Sequence, residues 1–238
     1  YITDKTKAIL LNTPNNPTGA VMSQEAMVRF CEFCKKHDLI VISDEVYYNI
    51  IFDGLKFCSP AMFEGMKDRV IISQSFSKTY AMTGWRIGYT GSSKEIAKMM
   101  GSVQSHQTSN PNSISQKATV EALNGPQDSV AAMHDEFDKR RKYMYERIQK
   151  MPLVSCIEPM GAFYVFVDAG EVLDKSYQGE KVGTVARMAE ILINEYNTAV
   201  VPCADFGFDD HLRLSYAISI EQIEKGLDRI ESFLKGLE

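Results

Sequence analysis

Runs of apolar residues that end in polar clusters set the rhythm of the first half of this chain. Ala8, Ile9, Leu10 and Leu11 form an unbroken apolar stretch, followed by a loop carrying Pro14, Pro17 and Gly19. Such a run predicts a strand of a parallel sheet covered on both faces, and the proline and glycine cluster predicts the turn after it. Ser23 then offers a helix N-cap, Glu25 sits in the first turn, and Met27, Phe30, Cys31 and Cys34 recur at helical spacing. Further strands are predicted over 39–43, ending in Asp44, over 70–73, ahead of Ser75 through Lys78, and over 86–89. Strand, helix, strand in this order is the pattern of an α/β sheet, where ligands gather at the carboxyl ends of the strands.

The second half reads differently. Val130, Met133, Phe137, Met144, Ile148 and Met151 share one face of a single long helix, expected to bridge two domains. Beyond it come a strand over 162–167, an amphipathic helix over 182–193, short strands near Val200 and over 212–216, and a final helix. That last helix has a stripe of Ile220, Ile223, Leu227, Ile230 and Leu234 and a predicted capping box of Ser219 with Gln222. The expected fold class is α/β. Residues 1–128 form part of a large domain with a mostly parallel sheet and helices, and residues 129–238 form a smaller α+β domain.

Composition narrows the function classes. A chain of 238 residues that is 45% hydrophobic and 24% charged is globular. A net charge of −5 without a basic stripe argues against nucleic acid as a partner. No apolar run is long enough to span a bilayer and no basic-then-apolar leader is seen, so no membrane partner is expected. Five cysteines, an odd number without framework spacing, predict reduced thiols and a cytoplasmic setting. Cys31, Cys34 and His37 have a zinc-like spacing, but no second ligand pair follows and the cysteines lie on a helix's apolar stripe. They are expected to pack as small hydrophobes, with no metal. Arg140, Arg141 and Lys142 read as a solvated basic face.

The polar clusters at the strand ends suggest a specific chemistry. An aldehyde cofactor such as pyridoxal 5'-phosphate needs an amine to hold it, a carboxylate at its ring nitrogen, a cation at its phosphate and donors at its phenolic oxygen. Lys78, directly after a strand, is the candidate amine. Asp44 ends an apolar strand, where a carboxylate is costly unless it meets a positive partner, and a protonated pyridine is such a partner. Tyr47 and Asn16 offer donors to the phenolic oxygen, and Ser75 with Arg86 offers a hydroxyl and cationic cradle for phosphate.

These residues lie in a recognisable series of strings: Asn12-Thr13-Pro14-Asn15-Asn16-Pro17-Thr18-Gly19, Ser43-Asp44-Glu45-Val46-Tyr47, Ser75-Phe76-Ser77-Lys78 through Gly84-Trp85-Arg86-Ile87-Gly88, Gly161-Ala162-Phe163-Tyr164, and Leu212-Arg213-Leu214-Ser215. The series resembles the ordered landmarks of fold-type-I aminotransferases, most closely the prokaryotic-type aspartate aminotransferase branch. The resemblance implies that Lys78 is the Schiff-base lysine and proton shuttle, Asp44 the pyridinium partner, Tyr47 and Asn16 the contacts to the phenolic oxygen, and Ser75 and Arg86 the phosphate ligands. Arg213, with Asn16, would bind the substrate's α-carboxylate through a fork that lysine cannot copy. A cis Asn16–Pro17 bond is implied as well.

The activity so implied is transamination between an amino acid, aspartate foremost, and a 2-oxo acid such as 2-oxoglutarate, in a homodimer. The alternatives are a β-lyase of the same fold, whose members often carry His where Tyr47 stands, and the effector domain of a transcription regulator. Cys203 after Pro202 departs from the Gly of many relatives, which puts the shape of the loop toward Phe206 and Gly207 in doubt. Family members also carry a long upstream segment with a glycine-rich phosphate turn, a ring-stacking aromatic and a residue reaching in from the neighbouring subunit. Alone, the 238-residue chain is therefore expected to leave a sheet edge exposed, bind the cofactor poorly and not turn over.

Overall fold

The strands and helices follow the patterns above in two compact units, and the computed structural model describes residues 1–238. The first unit comprises residues 1–15 and 20–132, the second residues 16–19 and 133–238.

In the first unit the order is β1 (Ala8–Asn12), α1 (Gln24–Lys36), β2 (Ile40–Asp44), β3 (Val70–Ser75), α2 (Phe76–Thr79), β4 (Gly88–Gly91), α3 (Lys94–Gln107) and α4 (Ser113–Asn124). The sheet order is β1-β2-β3-β4, with β1, β2 and β3 parallel and β4 antiparallel to β3. Ser23 caps α1 by accepting from the Ala26 amide. The inward stripe of α1 packs Met27, Cys31 and Cys34 against Leu39, Val41 and Val70, with Ile9, Leu11 and Ile72 at the border. Each fully buried apolar side chain there contributes about 1.5–3 kcal/mol. Cys31 and Cys34 thus serve as core, and burial pushes the Cys31 thiol up to about 11.

Two expectations need correction here. The apolar strands were read as covered on both faces, yet Leu10 is 70% exposed and Ile42, its register neighbour, 37%. Strand residues alternate sides, and within this chain α1 packs against the other set, Ile9, Leu11, Val41 and Val70. The strand expected over 86–89 starts at Gly88 instead, because a 3₁₀ turn, Thr83–Trp85, ends with Arg86 in the left-handed region at φ 50°. Arg86 is thereby a turn residue. Gly88 is required where it stands, since a Cβ there would lie 2.5 Å from the Gln74 carbonyl oxygen. Helices α3 and α4 had no counterpart in the sequence reading. α3 buries none of its residues within this chain, although Ile96, Met99, Met100 and Val103 stand at helical spacing along it.

Helix α5 (Asp128–Ile148) contains the division between the units. The second unit continues with β5 (Ser155–Cys156), β6 (Tyr164–Asp168), α6 (Gly170–Leu173), β7 (Ser176–Tyr177), β8 (Glu180–Lys181), α7 (Val185–Tyr196), β9 (Val201–Pro202), β10 (His211–Ser215) and α8 (Ile220–Lys235). Its main sheet runs β5-β6-β10-β9 with antiparallel pairing throughout, and β7-β8 is a separate ribbon. Val165, Val167, Leu212 and Leu214 point to the buried side, while Tyr164, Phe166, His211 and Arg213 share the opposite face. The stripe of α8 buries Ile223, Leu227, Ile230 and Leu234, with Phe233 added. Ser219 is its N-cap, but its hydroxyl makes no capping bond to the helix, so the predicted capping box does not form.

The basic run on α5 is the third correction. Arg140 and Lys142 meet Glu136 and Asp138 near the surface, but the Arg141 side chain is completely buried. Arg141 lies four residues after Phe137 and three before Met144, on the helix's apolar stripe.

Candidate active site

In the first unit the residues expected to handle a cofactor lie at or just beyond the carboxyl ends of β2 and β3. Asp44 is the last residue of β2 and is half-buried. Its Oδ1 accepts the Val46 amide at 3.3 Å, which orients the carboxylate. Tyr47 is buried in the turn that follows, and the Lys78 Nζ lies 5.9 Å from its ring centroid. Lys78 itself is half-buried on α2, a single turn anchored by buried Phe76 and Thr79. Ser75 closes β3 and caps α2, its Oγ accepting the Ser77 amide at 3.0 Å and donating to the Ile87 carbonyl at 3.4 Å. Arg86 is exposed, with Nη1 donating to the Thr83 carbonyl at 2.9 Å.

Glu45, quoted above only as part of a motif, organises this end of the sheet. It is 2% exposed, and its Oε1 accepts from Ser43 at 2.9 Å and Ser59 at 2.6 Å, while Gln74 Nε2 reaches Oε2 at 3.4 Å. With the Glu45 amide donating to the Ser73 carbonyl, this knot ties the ends of β2 and β3 together beside Asp44. No sequence pattern marked Ser59 or Gln74, because their partner is reached only through folding.

Burial raises the Glu45 pKa above the ordinary 4.5, against the lowering effect of its hydrogen bonds, and nearby Asp44 adds to the rise. A folded pKa above the unfolded one stabilises the fold fully below the unfolded value. That contribution is lost as pH rises through the folded pKa. We therefore expect the thermal midpoint of Glu45→Gln, relative to wild type, to climb as pH rises above 4.5. Parallel melting curves from acid to neutral pH check this, and a difference that stays flat would contradict it.

The second unit holds the remaining candidates. Arg213, on β10, donates from Nη1 to Asn16 Oδ1 at 2.7 Å. Its guanidinium carbon lies 4.5 Å from the Tyr164 ring centroid and 5.5 Å from that of Phe206, so two aromatic walls hold it flat. Asn16 belongs to a turn with Pro17 that contributes to this unit rather than the first, and its bond to Pro17 is cis, as is Thr13–Pro14. Cys203, the departure from family pattern, is fully buried, and the loop after it closes with Gly207 in the left-handed region. Asp168, Asp210 and His211 bring ligand-capable atoms within 4.8 Å of one another. Asp168 Oδ1 accepts the Gly170 amide and Asp210 Oδ1 meets His211 Nδ1, which leaves a knitted surface network.

No helix is long and apolar enough to cross a membrane. The sequence profile described as aminotransferase class I and II matches residues 2–230. The chain is 38% identical over 235 residues to the aspartate aminotransferase of Bacillus subtilis (strain 168), covering 98% of this chain and 59% of that protein. It is 40% identical over 239 residues to a probable aspartate/prephenate aminotransferase of Aquifex aeolicus (strain VF5), covering 99% and 59%. The crystal structure of the aspartate aminotransferase from Rhizobium meliloti matches with a TM-score of 0.95 at 38% identity, covering 100% of this chain and 60% of that one. The chain therefore spans about three fifths of the length of these relatives. A profile match over residues 2–230, together with relatives 38% and 40% identical over nearly the whole chain, establishes that the chain belongs to the class I and II aminotransferases.

Proposed function

We propose that the full-length protein is a pyridoxal 5'-phosphate-dependent aminotransferase, moving an amino group between an amino acid, aspartate foremost, and a 2-oxo acid such as 2-oxoglutarate. The reading rests on one observation above all. The first unit carries an amine, a carboxylate, a buried phenol, a hydroxyl and a guanidinium at or after the carboxyl ends of the neighbouring strands β2 and β3, which is the donor set this cofactor requires. When bound, the cofactor supplies an electron sink for the pair released at the substrate's α-carbon.

The chain's own residues divide the remaining work. Lys78 Nζ holds the cofactor and then carries the proton to and from the α-carbon. Asp44, oriented by the Val46 amide, keeps the ring nitrogen protonated. Tyr47 donates to the phenolic oxygen, and Ser75 and Arg86 take the phosphate. Arg213, held by Asn16 and two rings, receives the substrate's α-carboxylate. The relatives named for aspartate and for aspartate/prephenate support a dicarboxylic donor. A homodimer in the cytoplasm is the assembly we infer.

The test is an amino-group exchange assay with aspartate and 2-oxoglutarate on both the full-length protein and the 238-residue chain. Exchange is expected only from the former. Absence of exchange by the cofactor-loaded full-length protein would refute the activity, and full exchange by the shorter chain would refute its dependence on the rest of the protein.

A further inference from the structure

Arg141 is an unusual use of a charged residue. Its side chain has no exposed surface, and a buried guanidinium is tolerated only where its donors are matched. Here they are: Nε and Nη2 both reach Asp138 Oδ1, at 2.9 and 2.8 Å. Nη1 donates to the Pro159 carbonyl at 2.8 Å and lies 3.3 Å from Glu158 Oε1. One face of the fork is thus fastened to α5, and the other grips the loop 158–162.

That loop is clamped from its far side by the turn carrying Asn16. The Gly19 carbonyl accepts the amides of Met160 at 3.0 Å and Gly161 at 2.9 Å. Gly19 has φ +70°, and a Cβ there would stand 2.7 Å from the Pro159 Cβ, so the two segments meet with no room for any side chain at this position. Three residues before Gly19, Asn16 Oδ1 accepts Arg213 Nη1. Tyr216 Oη donates to the Ala162 carbonyl and fixes the other end of the loop. A continuous path of bonds and hard contacts, all within the second unit, leads from Arg141 through Pro159 and Gly19 to Asn16 and Arg213.

We propose that Arg141 is a positioning residue for Arg213. By holding the loop 158–162 against the Asn16–Gly19 turn, it sets the Asn16 side-chain Oδ1 that orients the Arg213 guanidinium. The inference rests on the reading of Arg213 as the α-carboxylate clamp, and it adds a control point deep in the second unit. Misplacing a binding group by about 1 Å from a distance can cost roughly a hundredfold.

The experiment uses the full-length, cofactor-loaded protein with Arg141→Met, Arg141→Lys, Gly19→Ala and Arg213→Met. Three quantities are measured: kcat and KM for an α-amino acid, the same for an alkylamine lacking the carboxylate, and the succinate dissociation constant by calorimetry. For Arg141→Met we expect the amino-acid KM and the succinate constant to rise roughly ten- to a hundredfold, with kcat and the alkylamine reaction little changed. Gly19→Ala should reproduce this pattern by pushing Pro159 away. Arg141→Lys should too, because an ammonium cannot span Asp138 and the Pro159 carbonyl together.

Should Arg141→Met fail to fold, the lysine and Gly19 variants carry the test. Equal losses with both amines, or an unchanged succinate constant beside a lowered thermal midpoint, would reduce Arg141 to a merely structural residue and overturn the proposal. Unaltered succinate binding in Arg213→Met would instead overturn the clamp reading itself.

Discussion

Replacing Lys78 by alanine in the full-length protein is expected to lower transamination by roughly a thousandfold or more, since positioned proton transfer alone contributes about 10²–10⁴ and the covalent hold on the cofactor is lost with it. The fold should survive. Alanine keeps the backbone carbonyl that accepts the Tyr80 and Ala81 amides, and the turn remains anchored by Phe76 and Thr79. Borohydride reduction followed by peptide mapping gives a reading independent of turnover. Wild type should carry the pyridoxyl label on the peptide containing Lys78, and the variant should carry none. A wild-type label found on a different lysine would remove Lys78 from its proposed place.

Asp44→Asn should have the next largest effect. Asparagine is nearly the same shape, and its carbonyl oxygen still accepts the Val46 amide, so what disappears is the charge. An opposite charge in contact shifts a pKa by roughly 1–3 units. The bound cofactor's ring nitrogen should therefore lose its proton at a pH lower by about that much, and turnover near neutrality should fall by roughly ten- to a thousandfold. Absorbance titration of the loaded variant reads the first quantity and initial rates the second. Wild-type behaviour in both would mean that Asp44 faces something other than the ring nitrogen.

How well the sequence announced each feature depended on what kind of physical constraint shaped it. The strands ending at Asp44 and Ser75 were visible because each opens with an apolar run, Ile40 to Ile42 and Val70 to Ile72, that gives way to polar residues at its carboxyl end. The stripe of α8 was equally clear, since five apolar residues at helical spacing can share only one face. Arg86 was displaced by two residues from its expected strand because the glycine-containing 3₁₀ turn before it takes up a left-handed residue that no periodicity announces. The sequence pattern does not reveal the burial of Glu45 or of Arg141, which it assigns to a solvated face, for a common reason. Each is buried against local partners and also against distant ones, Ser59 and Gln74 for Glu45 and Pro159 for Arg141, and the distant ones are met only through folding. In retrospect Arg141 had a local sign, its place on the stripe between Phe137 and Met144.

By itself the amino-acid sequence determined most of the element types and the family, because these follow from local periodicity and from ordered motifs. The tertiary structure alone decided which side chains are held and by what. It placed the Asn16 turn with the second unit, set that residue's oxygen on Arg213, and drew Arg141 and Gly19 onto one loop. Hydrogen bonds and close backbone contacts join residues up to 197 positions apart, and such pairings exist only once the chain has folded.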